Sequence, residues 1–182
     1  DSKENILYSS RTTNSLQRVK NITVSRATPD TVPVVMNAMA SAITASPYSA
    51  SGTSTIFAGT RAGNLYRVDN AHSTTPAVSN ITGGGFPNGN ISGIDLGADD
   101  NRIQVTFSDY GVGSVGETTD GGSTWSDKEG NLPDMPIRWC LYNPDNYDQA
   151  LLATEVGVYS TTDISATSPD WGPTNGGLAH VR

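Results

Sequence analysis

The chain has 182 residues, of which 35% are hydrophobic and 16% are charged, and its formal net charge is −7 at pH 7. Its 11 basic residues are scattered through an acidic chain, so we expect no nucleic-acid partner. No apolar stretch approaches the roughly 20 residues of a membrane-spanning helix, so we expect no membrane insertion.

Short apolar runs separated by turn residues dominate the chain, and nothing reads as a long amphipathic helix. Leu7 and Tyr8 begin a first run, and residues 16–19 form a second. Three groups of runs follow, each with an inner strand, a second strand and a third strand. We predict inner strands at 41–45, 92–96 and 138–142, second strands at 55–59, 103–107 and 150–154, and third strands at 64–69, 114–120 and 157–163.

These groups recur along the chain at a regular spacing. Phe86, Leu132 and Leu178 stand 46 residues apart, and Ile94 and Cys140 keep the same spacing. Units of roughly 40 to 50 residues with about four short strands are typical of β-propeller blades. The sequence therefore predicts an all-β fold, a β-propeller with about three and a half to four blades of four antiparallel strands. The predicted blades cover about 1–36, 37–85, 86–131 and 132–182.

The blade count leaves the closure of the ring open. The first unit starts at a second strand, and the last stops between Ala179 and Arg182, where the next inner strand should begin. Because open sheet edges promote aggregation, we expect these blades to be part of a larger propeller in a longer protein. A four-bladed ring, in which the final residues complete the first blade, is the alternative.

The most specific motif reads Thr-Thr-Asp-Gly-Gly-Ser-Thr-Trp and starts at Thr118. Asp120 can accept hydrogen bonds from N–H groups of its own turn, and Gly122 supplies the positive φ of a tight hairpin. Thr118 and Thr124 suit strand ends, and Trp125 offers a large apolar face that can wedge between neighbouring sheets. Every one of these roles is structural, so the motif predicts a turn that holds a blade together.

A remnant of this motif occurs one unit later. Thr161 and Asp163 keep its first positions and Trp171 its last, although residues are inserted between them. The second unit retains little beyond Asp69. A turn with a purely structural role tolerates such divergence, and we expect Asp163 to be a structural residue like Asp120.

Candidate catalytic and metal-binding groups are sparse. Cys140 is the single cysteine and is predicted to be a buried residue of an inner strand, while the two histidines, His72 and His180, lie in predicted loops. Polar turns explain the aspartates of the third unit. We therefore predict no catalytic residue, no metal site and no cofactor. Glycans would be attached to a secreted eukaryotic protein at three Asn-x-Ser/Thr triplets, which begin at Asn21, Asn80 and Asn90.

In a propeller, the loops between second and third strands and the loops that enter inner strands gather on one face, where function usually concentrates. Register along the repeat places one candidate binding position of the first kind in each blade. The candidates are Arg11, Arg61, Asp109 with Tyr110, and Glu155 in the first kind of loop, and Phe86, Asn88, Asp134 and Met135 in the second. This mixture of charged, amide and aromatic groups suits a polar ligand, and a solvated rim without a ligand is the alternative.

Over nearly its whole length the chain resembles the Asp-box (BNR) repeat propellers. This group includes sialidases, xyloglucanase-type glycoside hydrolases, sortilin-like receptors and large secreted bacterial surface proteins. Stretches similar to those in surface proteins of Bacteroidetes-type bacteria are 118–125, 131–133, 143–145, 150–154 and 157–159. The resemblance implies an extracellular or cell-surface location and a role in adhesion, carbohydrate or protein binding, or spacing. The implied partners are a protein or glycan ligand and other domains of the parent protein.

The same resemblance contains an enzymatic alternative. Sialidases use an arginine triad with a Tyr/Glu pair, and the arginines of this chain, which has only four glutamates, do not reproduce that pattern. Xyloglucanase-like enzymes use an aspartate pair across two propellers, which a partial propeller does not supply. We therefore predict a non-enzymatic segment. The alternative is an accessory propeller portion of a secreted glycoside hydrolase.

Overall fold

The structure, a computed structural model, describes residues 1–23 and 27–174. Within those ranges the regular structure consists of β-strands, as the apolar pattern predicts. Leu178, His180 and the predicted end of the last blade lie outside the described residues. The strands are β1 (Ile6–Thr12), β2 (Ser15–Lys20), β3 (Pro29–Pro33), β4 (Ala40–Ala45), β5 (Ile56–Thr60), β6 (Leu65–Asp69), β7 (Ala77–Asn80), β8 (Ile91–Leu96), β9 (Ile103–Phe107), β10 (Val115–Thr118), β11 (Ser126–Asp127), β12 (Ile137–Asn143), β13 (Asn146–Thr154), β14 (Gly157–Thr161) and β15 (Gly172–Pro173).

The strands form four antiparallel sheets, in which each strand pairs with its neighbours in sequence. β1, β2 and β3 form a three-stranded sheet, blade 1, whereas blades 2, 3 and 4 have four strands each, β4–β7, β8–β11 and β12–β15. Successive sheets pack through their inner strands, because β4 contacts β8 and β8 contacts β12. The architecture is that of β-propeller blades, which confirms the predicted fold class.

Blade 1 starts at the position of a second strand, as the repeat predicts. β1 packs against β4 in the way that β5 packs against β8 and β9 against β12. The pairing of β1 with β2 also resembles that of β5 with β6, since Tyr8 pairs with Arg18 and Phe57 pairs with Arg67. Blade 1 therefore has three of the four strands that the other blades have among the residues the structure describes.

A β-bulge near the start of each inner strand joins neighbouring blades. The pairing of β4, β8 and β12 with their second strands shifts at Ser41, Ser92 and Arg138. Each serine hydroxyl donates a hydrogen bond to the first inner-strand carbonyl of the next blade. The distances are 2.7 Å from Ser41 Oγ to Ile91 O and 2.6 Å from Ser92 Oγ to Ile137 O. Arg138 replaces the serine in blade 4.

The hydrophobic core is divided among the interfaces between blades. One cluster of buried residues joins blades 1 and 2, a second joins blades 2 and 3, and a third joins blades 3 and 4. Phe57 and Phe107 are fully buried in the second cluster, and Cys140 is buried in the third, as predicted. Full burial of a side chain such as Phe contributes about 1.5–3 kcal/mol. Stacking of the blades therefore stabilises this fold more than any isolated sheet could.

Gly93 allows β12 to approach β8 closely. A Cβ at this position would lie 3.2 Å from both Cys140 N and Trp139 Cα, and 2.7 Å from Thr106 Oγ1. A larger residue would push blade 4 away from blade 3. The spacing of these two blades therefore depends on this glycine.

The turn between β10 and β11 has the hydrogen bonds that its sequence predicts. Asp120 Oδ1 accepts hydrogen bonds from Thr124 N at 3.0 Å and from the Thr118 hydroxyl at 2.8 Å, and Oδ2 accepts one from the Thr124 hydroxyl at 2.7 Å. These bonds, above all the one from the Thr124 N–H, lower the pKa of Asp120 to about 2. Gly122 has a φ of 92°, and a Cβ there would collide with Ile81.

Two tryptophans fix the outer ends of blades 3 and 4. Trp125 is 6% exposed within the cluster between blades 2 and 3, and its indole N–H donates to Ile81 O at 3.0 Å. Trp171 is 3% exposed, and its indole N–H donates to Lys128 O at 2.9 Å. Asp163 accepts a hydrogen bond from an N–H group of its own turn at 3.1 Å. The remnant motif in blade 4 therefore keeps both the aspartate and the tryptophan contacts.

Candidate functional site

Two kinds of loop share one edge of the blades, namely the connections that enter inner strands and the turns between second and third strands. Backbone hydrogen bonds join them, from Met36 N to Thr13 O at 2.8 Å and from Ser108 N to Asn90 O at 3.1 Å. We call this edge the rim. It comprises the connections 34–39, 81–90 and 128–136 and the turns 13–14, 61–64, 108–114 and 155–156.

Three rim side chains converge between blades 3 and 4. The Tyr110 hydroxyl donates a 2.9 Å hydrogen bond to Glu155 Oε2, and the Arg138 guanidinium donates to Oε1 of the same carboxylate. Tyr110 is 63% exposed and the Arg138 side chain is 55% exposed, so solvent reaches this cluster. The hydrogen bond to Glu155 raises the pKa of Tyr110, because it stabilises the protonated phenol. The structure thus brings together Tyr110 and Glu155, which the sequence repeat had placed on neighbouring blades without predicting a contact between them.

Trp139 presents an exposed apolar surface. It follows Arg138 in β12 and is 48% exposed. Both residues lie in an inner strand, as predicted, but sequence reasoning missed the contact of Arg138 with Glu155 at the rim. The signal that identifies them is the contrast with the other inner strands, where the equivalent pairs are Ser41 with Ala42 and Ser92 with Gly93.

The aspartates of the rim organise its loops. Asp109 Oδ2 accepts a 2.5 Å hydrogen bond from Asn90 N, and Asp134 Oδ1 accepts a 2.8 Å hydrogen bond from Gly111 N. Asp134 therefore links the connection into blade 4 to the 108–114 loop that carries Tyr110. Both carboxylates hold backbone in place next to the cluster.

The predicted residues of the connection into blade 3 have different surroundings. Phe86 is half-buried and packs edge-to-face on Trp125 and Phe107, with ring centroids 4.7 Å and 5.5 Å apart. Its ring belongs to the core between blades 2 and 3. Asn88 is exposed, whereas Met135, in the connection into blade 4, is buried.

The two predicted arginines lie on the other half of the rim. Arg11 is the bulged residue of strand β1, so it lies in a strand and not in a loop, and Arg61 is in the turn between β5 and β6. Both are exposed, and within residues 1–23 and 27–174 neither guanidinium has a partner. The rim is therefore cationic on blades 1 and 2, and it carries carboxylates together with aromatic groups on blades 3 and 4.

A buried polar network lies at the opposite edge of the interface between blades 3 and 4. The Glu117 carboxylate, 4% exposed, accepts hydrogen bonds from Arg102 Nε at 3.0 Å and from the Tyr142 hydroxyl at 2.9 Å. Lys128 Nζ lies 3.6 Å from its second oxygen. Burial, followed by the Glu117 charge, raises the pKa of Tyr142 well above its ordinary value. Arg102 and Glu117 belong to blade 3 and Tyr142 belongs to blade 4, so these hydrogen bonds join the two blades.

Among the residues that the structure describes, no three His, Cys, Asp or Glu side chains converge as metal ligands. Burial raises the pKa of the Cys140 thiol far above its ordinary value. His72 Nδ1 accepts a hydrogen bond from Ser54 N at 3.2 Å, and His180 lies outside the described ranges.

The three Asn-x-Ser/Thr triplets differ in their surroundings. Asn21 and Asn80 are exposed, and Asn80 lies on the outer strand β7. The Asn90 side-chain amide donates a 2.6 Å hydrogen bond to Ser108 Oγ. In the described part of the chain, no helix is long and apolar enough to cross a membrane.

No protein-family model and no curated protein sequence matches the chain. Many solved structures are similar to it, and three of them illustrate the range of similarity. The major allergen Mala s 1 of Malassezia sympodialis is 14% identical, with a TM-score of 0.65, over 97% of this chain and 62% of its own. Sqt1 from Chaetomium thermophilum is 14% identical, with a TM-score of 0.61, over 93% of this chain and 44% of its own. The GH74 xyloglucanase from Xanthomonas campestris is 12% identical, with a TM-score of 0.52, over 93% of this chain and 32% of its own.

At these identities the similarity shows the fold alone, and that fold is a β-propeller. The chain spans between 32% and 62% of the length of these three structures. The similarity to GH74 propellers agrees in fold with the resemblance to propeller proteins that the sequence indicates. It does not distinguish a member of the Asp-box group from other propellers.

Proposed function

We propose that this chain is a non-enzymatic propeller segment of a secreted or cell-surface protein, and that its rim binds a glycan during adhesion. The observation that supports this proposal is the exposed cluster of Tyr110, Glu155 and Arg138. The cluster combines hydrogen-bonding and aromatic groups at one open place between blades 3 and 4.

The chemistry of a sugar ring suits this combination. A carboxylate and a guanidinium supply an acceptor and donors for ring hydroxyls, and the face of an aromatic side chain packs on the apolar C–H face of the ring. Tyr110 is 63% exposed, so its ring is not occupied by the core. The backbone contacts of Asp109 and Asp134 hold the neighbouring loops, which limits the ordering cost of binding.

Binding to a panel of soluble glycans, measured by isothermal titration calorimetry, tests the proposal. We expect Tyr110→Ala and Glu155→Gln to weaken binding about tenfold or more, which corresponds to about 1.4 kcal/mol. Tyr48→Ala is the matched control, because Tyr48 is 42% exposed but lies in the connection between β4 and β5 at the opposite edge. Absence of binding to every glycan in the panel, or equal loss in the control, contradicts a glycan site on the rim.

The second candidate function is an accessory part of a secreted glycoside hydrolase. The similarity in fold to the GH74 xyloglucanase favours it over other enzymatic functions. Incubation with xyloglucan and measurement of new reducing ends tests this alternative. Turnover by the parent chain that Asp109→Asn or Asp134→Asn abolishes would replace the binding proposal with an enzymatic one.

A further inference from the structure

A polar cavity lies between the outer part of blade 3 and the segment that follows β14 in blade 4. Its volume is about 240 Å³, and its lining consists of Glu117, Lys128 and five side chains that carry hydroxyl groups. We call it the outer cavity. The lining includes Thr119 and Ser126 of blade 3 and Ser165 of blade 4, and it includes none of the residues of the Tyr110 cluster. The outer cavity is therefore separate from the site proposed at the rim.

Glu117 brings to this cavity a carboxylate oxygen that lacks a hydrogen bond. Its side chain is 4% exposed, and its Oε1 accepts the hydrogen bonds from Arg102 and Tyr142. Within residues 1–23 and 27–174, no group donates a hydrogen bond to Oε2, and Lys128 Nζ lies 3.6 Å from it. A carboxylate oxygen removed from bulk water requires a donor. A hydroxyl group in the outer cavity can provide one.

The same cavity also offers donors. The Lys128 side chain is 7% exposed, and Nζ donates to Ala166 O at 2.8 Å and to Ser165 O at 3.3 Å. An ammonium group has three N–H donors, so one is left for a ligand. The hydroxyls of Thr119 and Ser126 likewise make no hydrogen bond to the part of the chain that the structure describes. A ligand in this cavity can therefore both donate and accept hydrogen bonds.

The charges and the size of the cavity restrict what it can hold. Glu117 and Lys128 offset each other, so a charged ligand would bring an uncompensated charge into a largely buried place. Among the described residues, no aromatic side chain lines the cavity, so it offers hydrogen bonds and no stacking surface. Pockets for drug-sized ligands have volumes of roughly 300–1,000 Å³, whereas one water molecule takes about 30 Å³. The outer cavity lies between these sizes.

We propose that the outer cavity binds a small neutral polyol, of the size of one monosaccharide. One hydroxyl of the ligand donates to Glu117 Oε2, and an adjacent hydroxyl accepts from Lys128 Nζ. The Thr119 and Ser126 hydroxyls bind further oxygens of the same ligand. Because the lining comes from blades 3 and 4, the ligand also stabilises their contact. This site does not depend on glycan binding at the rim.

Titration of the 182-residue chain with D-glucose and with myo-inositol, followed by the NMR shifts of its backbone amides, tests the proposal. We expect saturable shifts at Thr119, Ser126 and Lys128 for at least one of the two probes, with a Kd in the millimolar range. Saturable shifts confined to Tyr110 and Glu155 would place the binding at the rim and overturn the proposal. The absence of saturable shifts for both probes would show that the cavity holds only water.

Two variants and a matched control test the location. Ser126→Leu fills the cavity and should weaken binding about tenfold or more, and Thr119→Val removes one hydroxyl and should weaken it about fivefold. Ser123→Leu is the control, because Ser123 is an exposed residue of the same turn that does not line the cavity. It should bind as the parent does. Equal weakening by Ser126→Leu and Ser123→Leu, with Tm values like that of the parent, contradicts a site in the outer cavity.

A charged probe tests the class of ligand. D-Glucuronate has the ring of D-glucose with a carboxylate in place of one hydroxymethyl group. We expect it to bind about tenfold or more weakly than D-glucose, since neither Glu117 nor Lys128 is free to compensate its charge. Tighter binding of D-glucuronate than of both neutral probes would overturn the assignment of a neutral polyol.

Discussion

Trp171 occupies in blade 4 the place that Trp125 occupies in blade 3. The backbone N–H of Trp125 donates to Gly84 O at 2.9 Å, and that of Trp171 donates to the side chain of Asn131 at 2.6 Å. Each indole N–H also donates to a carbonyl in the same connection. In blades 3 and 4, the residue just before the last strand is therefore hydrogen-bonded to the connection that leads into the first strand of the same blade.

The buried indole of Trp125 should be far more important for stability than the exposed indole of Trp139. Trp125→Ala leaves a cavity between blades 2 and 3 and removes the donor to Ile81, so we expect a loss of about 3–5 kcal/mol in the free energy of unfolding. Trp139→Ala should change it by less than about 0.5 kcal/mol. Urea denaturation followed by circular dichroism measures both, and losses of similar size would contradict the described packing.

Asp120 should make stability fall in acid. Its folded-state pKa of about 2 lies below the ordinary value of 3.8, so its contribution is fully present above the unfolded-state pKa and is lost as pH falls through the folded-state pKa. Asp120→Asn removes this titration. We therefore expect a shallower fall of Tm for Asp120→Asn than for the parent between pH 4 and pH 2. Between pH 6 and pH 8 the difference between the two proteins should be constant, and parallel curves over the whole range would contradict the prediction.

The carboxylate of Glu117 should be hard to replace. Glu117→Gln leaves Lys128 without its anion and Arg102 with only the exposed Asp148, and breaking a buried pair typically costs about 3–5 kcal/mol. Glu155→Gln is the matched control, because its ion pair with Arg138 is exposed and should contribute less than about 1 kcal/mol. Chemical denaturation at neutral pH measures both losses. A small effect of Glu117→Gln would show that the network is dispensable.

Gly93 and Gly84 form a pair that tests the close approach of blades 3 and 4. Gly93→Ala places a Cβ 3.2 Å from the backbone of β12, so we expect a loss of about 1–3 kcal/mol from overpacking. No atom lies within 4 Å of a Cβ at Gly84, so Gly84→Ala should change the free energy of unfolding by less than about 0.5 kcal/mol. Thermal denaturation distinguishes the two, and equal stability of both variants would mean that blade 4 shifts freely.

The repeat spacing was enough to predict the sheets, because alternation of apolar residues and turns determines both the strands and their order. The 118–125 turn was equally readable, since the bonds of Asp120 are local. Contacts between residues distant in the sequence could not be predicted in this way. The ring of Phe86 turns into the core because Trp125 and Phe107 lie beside it, and no local pattern records that contact.

The binding residues were the least predictable part of the chain. Register placed Tyr110 and Glu155 on one edge, but their hydrogen bond depends on how blade 4 packs against blade 3. Arg138 lies in an inner strand, as predicted, but the bulge at this position has no simple sequence signal. Comparison of the three inner strands position by position would have revealed it as a departure from serine.

The tryptophan contacts bring the beginning and the end of a blade side by side, from Ile81 to Trp125 and from Lys128 to Trp171. A segment with adjacent ends can be copied or deleted with little displacement of its neighbours, because the chain enters and leaves at nearly the same point. The unit of about 46 residues is therefore suited to gene duplication. Each new copy would include its own tryptophan contact between the end and the beginning of the blade. The number of blades can therefore change during evolution without new kinds of contact.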